Sequence, residues 1–95
     1  MLTGKQKRFL RSKAHHLNPI FQIGKSGLTE QMIIEIEAAL EVRELIKVSM
    51  LQNCEEPKED IQAKFEEAGI EVAQQIGNIF VLYKESKENK TIKLP

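Results

Sequence analysis

Two glycines three apart, with a lysine and a serine between them, are the residues of this 95-residue chain best suited by type and spacing to chemistry. In Gly24-Lys25-Ser26-Gly27 the glycines allow close backbone approach and positive φ without a Cβ penalty. Lys25 offers a charge and Ser26 a hydroxyl. A helical pattern opens after Thr29, and the unpaired N–H groups of a helix start favour an anion. The chemistry that fits is a grip on a phosphodiester backbone. Taken alone, a G-x-x-G between strand and helix serves backbone geometry as readily as binding. The apex residues, the helix start and a basic segment that is expected to fold back beside them weigh toward binding. KH domains clamp backbone nucleotides with a G-x-x-G loop, although theirs joins two helices and this one joins a strand to a helix.

The net charge is zero, yet it is divided. Residues 1–28 hold Lys5, Lys7, Arg8, Arg11, Lys13 and Lys25 with no acid, a charge of +6, and the other sixty-seven residues carry −6. A chain neutral in sum can still present one positive face to a polyanion. A helix that is basic only for solubility would look the same in isolation. Its nearness to the loop is what favours a binding role.

Other chemistries find little support. His15 and His16 are adjacent, and neighbours on a helix do not converge on one metal, which needs i, i+3 or i, i+4 spacing and a further ligand. No serine sits in a nucleophile-elbow pattern. The single Cys54 forms no internal disulfide and suits a reducing cytoplasm. Glu30, Glu37, Glu41 and Glu44, with Glu35, read as the wet side of one helix, and Glu55, Glu56, Glu59 and Asp60 as the start of another. Phe80 and Tyr83 read as core or edge residues rather than base-stacking platforms. No enzyme, cofactor or metal is expected, and no apolar run approaches membrane-spanning length.

The elements that must position the loop follow from periodicity. Thr3 and Gln6 fit a capping box, so a helix runs from Gly4 to about His16 with Phe9, Leu10, Ala14 and Leu17 as its apolar stripe. Asn18-Pro19 stops it, and Ile20 to Ile23 is a strand. Thr29 caps a second helix from Glu30 to about Val42, burying Met32, Ile33, Ile36, Ala39 and Leu40. Leu45 to Leu51 alternates as a strand against Lys47 and Ser49. Pro57 opens a third helix that stops at Gly69. Ile70 to Ile76 and Ile79 to Tyr83 form a hairpin about Gly77-Asn78. Residues 1–84 are expected to form one α/β domain, a two-layer α-β-α-β-α-β-β arrangement with a mixed four-stranded sheet. The polar tail, residues 85–95, is expected to fray beyond Glu85.

Several ordered blocks resemble a known family: Leu2-Thr3-Gly4-Lys5-Gln6, Ala14-His15-His16-Leu17, Ile23-Gly24-Lys25-Ser26-Gly27-Leu28-Thr29, Glu44-Leu45-Ile46-Lys47-Val48 and Ile76-Gly77-Asn78-Ile79-Phe80-Val81-Leu82-Tyr83. Together they look like the bacterial stand-alone CRM domain, the YhbY-like family. The resemblance implies a fold similar to the C-terminal domain of translation initiation factor three. It also implies RNA binding through the G-x-x-G loop and adjacent basic surface, and association with precursors of the large ribosomal subunit. Carried over by residue, the RNA-binding set is Gly24, Lys25, Ser26 and Gly27 with Lys5, Lys7, Arg8, Arg11 and Lys13. The expected partner is rRNA and the expected state a monomer. The competing expectation is a protein-interaction module that docks on a ribosomal protein or assembly enzyme through its acidic second helix. A small phosphate-ester enzyme is disfavoured for want of a base or metal ligands.

Overall fold

In the computed structural model, which describes residues 2–95, the first helix starts at the capping box. The Thr3 hydroxyl accepts from the Gln6 N–H at 3.1 Å, and the Thr3 N–H donates to Gln6 Oε1 at 3.0 Å. Two of the helix's orphan donors are satisfied by this exchange. The helix, α1, spans Gly4–Ala14 and ends slightly short of the expected His16. The Leu17 N–H bonds back to the Ala14 carbonyl and turns the chain toward Pro19.

Strand β1 (Pro19–Ile23) leads through the glycine loop to α2 (Glu30–Arg43), whose N-cap Thr29 accepts from the Met32 N–H. Then come β2 (Leu45–Met50), α3 (Lys58–Glu67), β3 (Glu71–Ile76) and β4 (Ile79–Tyr83). Pro57 is the N-cap of α3 rather than its first helical residue. Gly69, at φ +80°, closes that helix as expected.

The sheet order is β1-β2-β4-β3. β1 pairs parallel to β2, and β4 pairs antiparallel with both β2 and β3. Three strands therefore run one way with the fourth reversed between two of them, the mixed sheet expected of two helical crossovers and one hairpin. The layering differs from the two-layer expectation. Phe80 and Leu82 of β4 join Ile36, Leu40, Ile61 and Phe65 in a core under α2 and α3. Val81 and Tyr83 join Leu10 and Ala14 in a second core under α1. Side chains alternate across a strand, so α1 covers the face opposite α2 and α3, and the sheet lies between two helical layers. An unbroken apolar run such as Ile79–Tyr83 is what a strand buried on both faces requires.

The tail departs from expectation too. Instead of fraying, it brings Ile92, 9% exposed, and Leu94 into the second core. Its anchor is Glu44, expected on the wet side of α2 but fully buried. Glu44 takes φ +62° as the helix ends, its N–H still bonded to the Leu40 carbonyl. In that left-handed conformation the carboxylate swings inward and accepts from the N–H groups of Ser86 at 2.8 Å, Thr91 at 2.5 Å and Ile92 at 2.8 Å.

Candidate nucleic-acid interface

Strand β1 ends with Ile23 buried, and the chain then tightens into a turn closed by the Gly27 N–H on the Gly24 carbonyl at 3.1 Å. Lys25 and Ser26 stand exposed at its apex. The turn is pinned from behind by the segment after β2. The Glu55 N–H bonds the Lys25 carbonyl at 2.9 Å, and Glu56 Oε1 accepts from the Leu28 N–H at 2.8 Å. Lys64 of α3 locks this arrangement, lying 2.5 Å from Glu56 Oε2 and donating to the Leu28 carbonyl at 3.0 Å. Burial raises the Glu56 carboxyl, but the Lys64 ammonium and the Leu28 N–H outweigh it and hold the group below its ordinary value. The sequence places Glu56 among solvated residues near a helix start; in the structure it is the buttress of the loop.

The two glycines have different reasons to be there. Gly27 sits at φ +93°, and a Cβ on it would lie 2.6 Å from Glu56 Oε1 and 2.7 Å from Glu56 Cβ. The fold itself demands that glycine. Gly24 lies outside the left-handed region, and a Cβ there would meet nothing within 4 Å. Nothing among the described residues requires Gly24, and the open space beside it leaves room for a second backbone to come close.

The N–H groups around the start of α2 contribute less than expected. The Leu28 N–H is committed to Glu56 and the Met32 N–H to Thr29. The offer to an anion falls to the Lys25 ammonium and the Ser26 hydroxyl together with the remaining N–H groups of the first turn of α2. Lys25 lies 3.9 Å from Glu55, with both side chains about two-thirds or more exposed, a pairing too weak to withhold the lysine from a phosphate.

On α1, Lys5, Lys7, Arg8, Arg11 and Lys13 are all exposed, and among the described residues none forms an ion pair. Lys13 lies 5.4 Å from the centroid of the Phe9 ring. The helix rests on β3, β2 and β4. The loop's bonds run to residues 55, 56 and 64, and among the described residues none runs to α1. The two cationic features are thus set apart, against the expectation that the basic helix folds back beside the loop, because α1 is seated on β3, β2 and β4 while the loop is pinned by residues 55, 56 and 64. Between them lies the half of α1's sheet face that the helix leaves open. Phe21 and Ile23 point into the α2/α3 core, as do Ile46, Val48 and Met50. By alternation Gln22, Lys47 and Ser49 face the other way, while Ile20 is the extra residue where the β1–β2 register shifts between Pro19 and Phe21. Ile20 and Gln22 are exposed, Lys47 and Ser49 half-buried, and Gln22 pairs with Ser49 in register. Lys47 is absent from the binding set expected from sequence; its signal was the polar side of the β2 alternation.

The other candidates are accounted for by packing. Phe80 is fully buried, edge to face with Phe65 at 5.6 Å, and Tyr83 is 5% exposed, so neither can stack on a base. The acidic side of α2 is partly occupied from within: Glu37 pairs with Lys84 at 3.0 Å, and Glu41 and Glu44 hold the tail. Among the described residues no three His, Cys, Asp or Glu side chains gather to hold a metal, and no helix is long and apolar enough to cross a membrane.

The sequence pattern of the CRS1 / YhbY (CRM) domain matches residues 2–84. The chain belongs to this family. Over its full length this CRM domain is 66% identical to the "Probable RNA-binding protein YqeI" of Bacillus subtilis (strain 168), which it also covers completely. It is 47% identical to an "RNA-binding protein" of Haemophilus influenzae, over 99% of this chain and 95% of that one. The solution structure of a hypothetical protein from Staphylococcus aureus, 56% identical, superposes on the CRM domain with a TM-score of 0.83 and full coverage of both chains.

Proposed function

We propose that this CRM domain is a monomeric RNA-binding protein that holds structured rRNA of the precursor large ribosomal subunit by its phosphates. The observation that carries the reading is the loop apex: Lys25 and Ser26 exposed on a buttressed turn, beside Gly24, where an added Cβ would meet nothing within 4 Å and a close-approaching backbone has room. The names of its relatives point the same way. The ribosomal setting follows from the family resemblance.

In this mechanism Gly24 lets an RNA backbone approach the turn, and Lys25 and Ser26 bind a phosphate there. The strand then crosses the open sheet half past Gln22, Ser49 and Lys47 to the cations of α1. Each neutralised phosphate releases condensed counterions, so affinity should fall steeply with salt. With about four to six phosphates engaged, log affinity against log salt should slope roughly −3 to −5. With no exposed aromatic row among the described residues, recognition is of shape and backbone rather than of base sequence. Crosslinking the chain to RNA in cells and mapping the bound positions tests the setting. Enrichment in large-subunit precursor rRNA supports it, and an even spread over cellular RNA removes it. Capture of the same protein partner from nuclease-treated extract would favour docking through the acidic helix instead.

A further inference from the structure

We infer that residues 86–95 form a strap that seats the basic helix α1, so that RNA affinity depends on a segment outside the proposed set of RNA contacts. The inference rests on the RNA-binding reading of α1 and adds a positioning element that lies beyond the matched family pattern, which ends at residue 84.

Little holds α1 in place by its own resources. It has eleven residues and fully buries only Leu10 and Ala14, and an isolated helix of that length is marginal in water. Its stability must come from the cluster it packs into. That cluster joins Leu10 and Ala14 to Leu2, Leu45, Ala73, Val81, Tyr83 and Ile92, with Phe9 and Leu94 against it. Two of those apolar side chains, Ile92 and Leu94, belong to the tail. Gln6 Nε2 also donates to the Pro95 carbonyl at 3.3 Å, closing the tail onto the helix start.

The tail reaches this position because the end of α2 holds it. Glu44 binds the N–H groups of Ser86, Thr91 and Ile92. Glu41 accepts from the Ser86 hydroxyl at 2.6 Å and from the Lys87 and Glu88 N–H groups at 3.1 Å. Ser86 Oγ in turn accepts from the Asn89 N–H at 2.7 Å. Two carboxylates at the end of one helix thus fix a segment whose apolar residues complete the seat of another, on the opposite face of the sheet. Buried N–H groups need acceptors, and here those acceptors set where the strap runs.

The tail also carries Lys87 and Lys93, with Lys90 paired to Glu85, so the test must separate seating from direct contact with RNA. In the full chain, Ile92→Asp removes the apolar anchor, while Lys87→Gln with Lys93→Gln removes charge and leaves the anchor. Amide exchange is followed residue by residue, and binding to an RNA hairpin taken from large-subunit rRNA is measured across salt. Ile92→Asp should speed exchange in α1 by about tenfold or more with α2 and α3 still protected. It should also weaken RNA binding and flatten the salt slope as the α1 phosphates disengage. The lysine pair should leave α1 protected and the affinity within about threefold. If Ile92→Asp unfolds the whole chain, the milder Ile92→Ala gives the same selective loosening of α1 or refutes it. Unchanged α1 exchange overturns the strap, as does a lysine-pair loss equal to that of Ile92→Asp. Should the native chain bind no RNA, the functional reading fails while the exchange arm still decides the strap.

Discussion

The two glycines of the loop should respond oppositely to the same substitution. Gly27→Ala forces an L-residue to φ +93°, a left-handed conformation costing roughly 1–2 kcal/mol. Its Cβ would also lie 2.6 Å from Glu56 Oε1. The carboxylate must move and release the Leu28 N–H, and a part-buried donor left without its partner costs about 1–3 kcal/mol more. A total near 2–5 kcal/mol lowers the melting temperature of a domain this size by roughly 10–25 °C. Gly24→Ala meets open space at ordinary φ, so its stability should stay within about 0.5 kcal/mol of native. Its RNA affinity should nevertheless fall by about tenfold, because the methyl stands where the backbone of the RNA comes close. Thermal melts and filter binding on the two variants and the native chain decide it. A Gly24→Ala protein that binds RNA like the native one, or that melts like Gly27→Ala, refutes the division of roles.

Other consequences are as direct. Lys25→Glu, or Lys7→Glu with Arg11→Glu, changes exposed side chains; each should leave the melt unchanged, weaken RNA binding and reduce the salt slope by about one unit for every phosphate no longer neutralised. Lys47→Glu should act in the same direction if RNA crosses the open sheet half, which the same binding assay reads. Burial pushes the Glu44 carboxyl up, but the N–H groups of Ser86, Ile92 and Thr91 bring it below its ordinary value of 4.5, and Glu56 is lowered as well. The unfolded chain therefore binds these protons first as pH falls. The stability they contribute is present above about pH 4.5 and is lost as pH drops through the folded values, which melts between pH 7 and 3 will show. Glu44→Gln sets an amide donor against tail N–H groups and should cost about 1–3 kcal/mol at neutral pH, while flattening the acid limb of that profile.

Much of this was legible in the chain. Thr3 with Gln6, Thr29, Gly69 and Gly77-Asn78 marked element ends because caps and turns impose local backbone demands that few residues meet. The mixed sheet followed from the order of periods. What escaped was non-local. Glu44 continues the spacing of Glu37 and Glu41, and its partners are backbone N–H groups more than forty residues away that leave no side-chain signature. Glu56 sits among acids that do open a helix, and only the fold sets its carboxylate against Leu28. The Ile79–Tyr83 run fits a strand covered on one face or both, so the side taken by α1 was hidden in it. The open sheet half beside the loop was invisible for the same reason, since it exists only where α1 stops covering the strands.

The most direct test of the account is a titration of the isotopically labelled chain with a large-subunit rRNA hairpin, followed by amide and side-chain NMR shifts. The account predicts one continuous footprint over Gly24–Gly27, Gln22, Lys47, Ser49 and the cationic face of α1, with the outer faces of α2 and α3 unmoved. Shifts centred on the acidic side of α2, or confined to α1 with the loop silent, would contradict it.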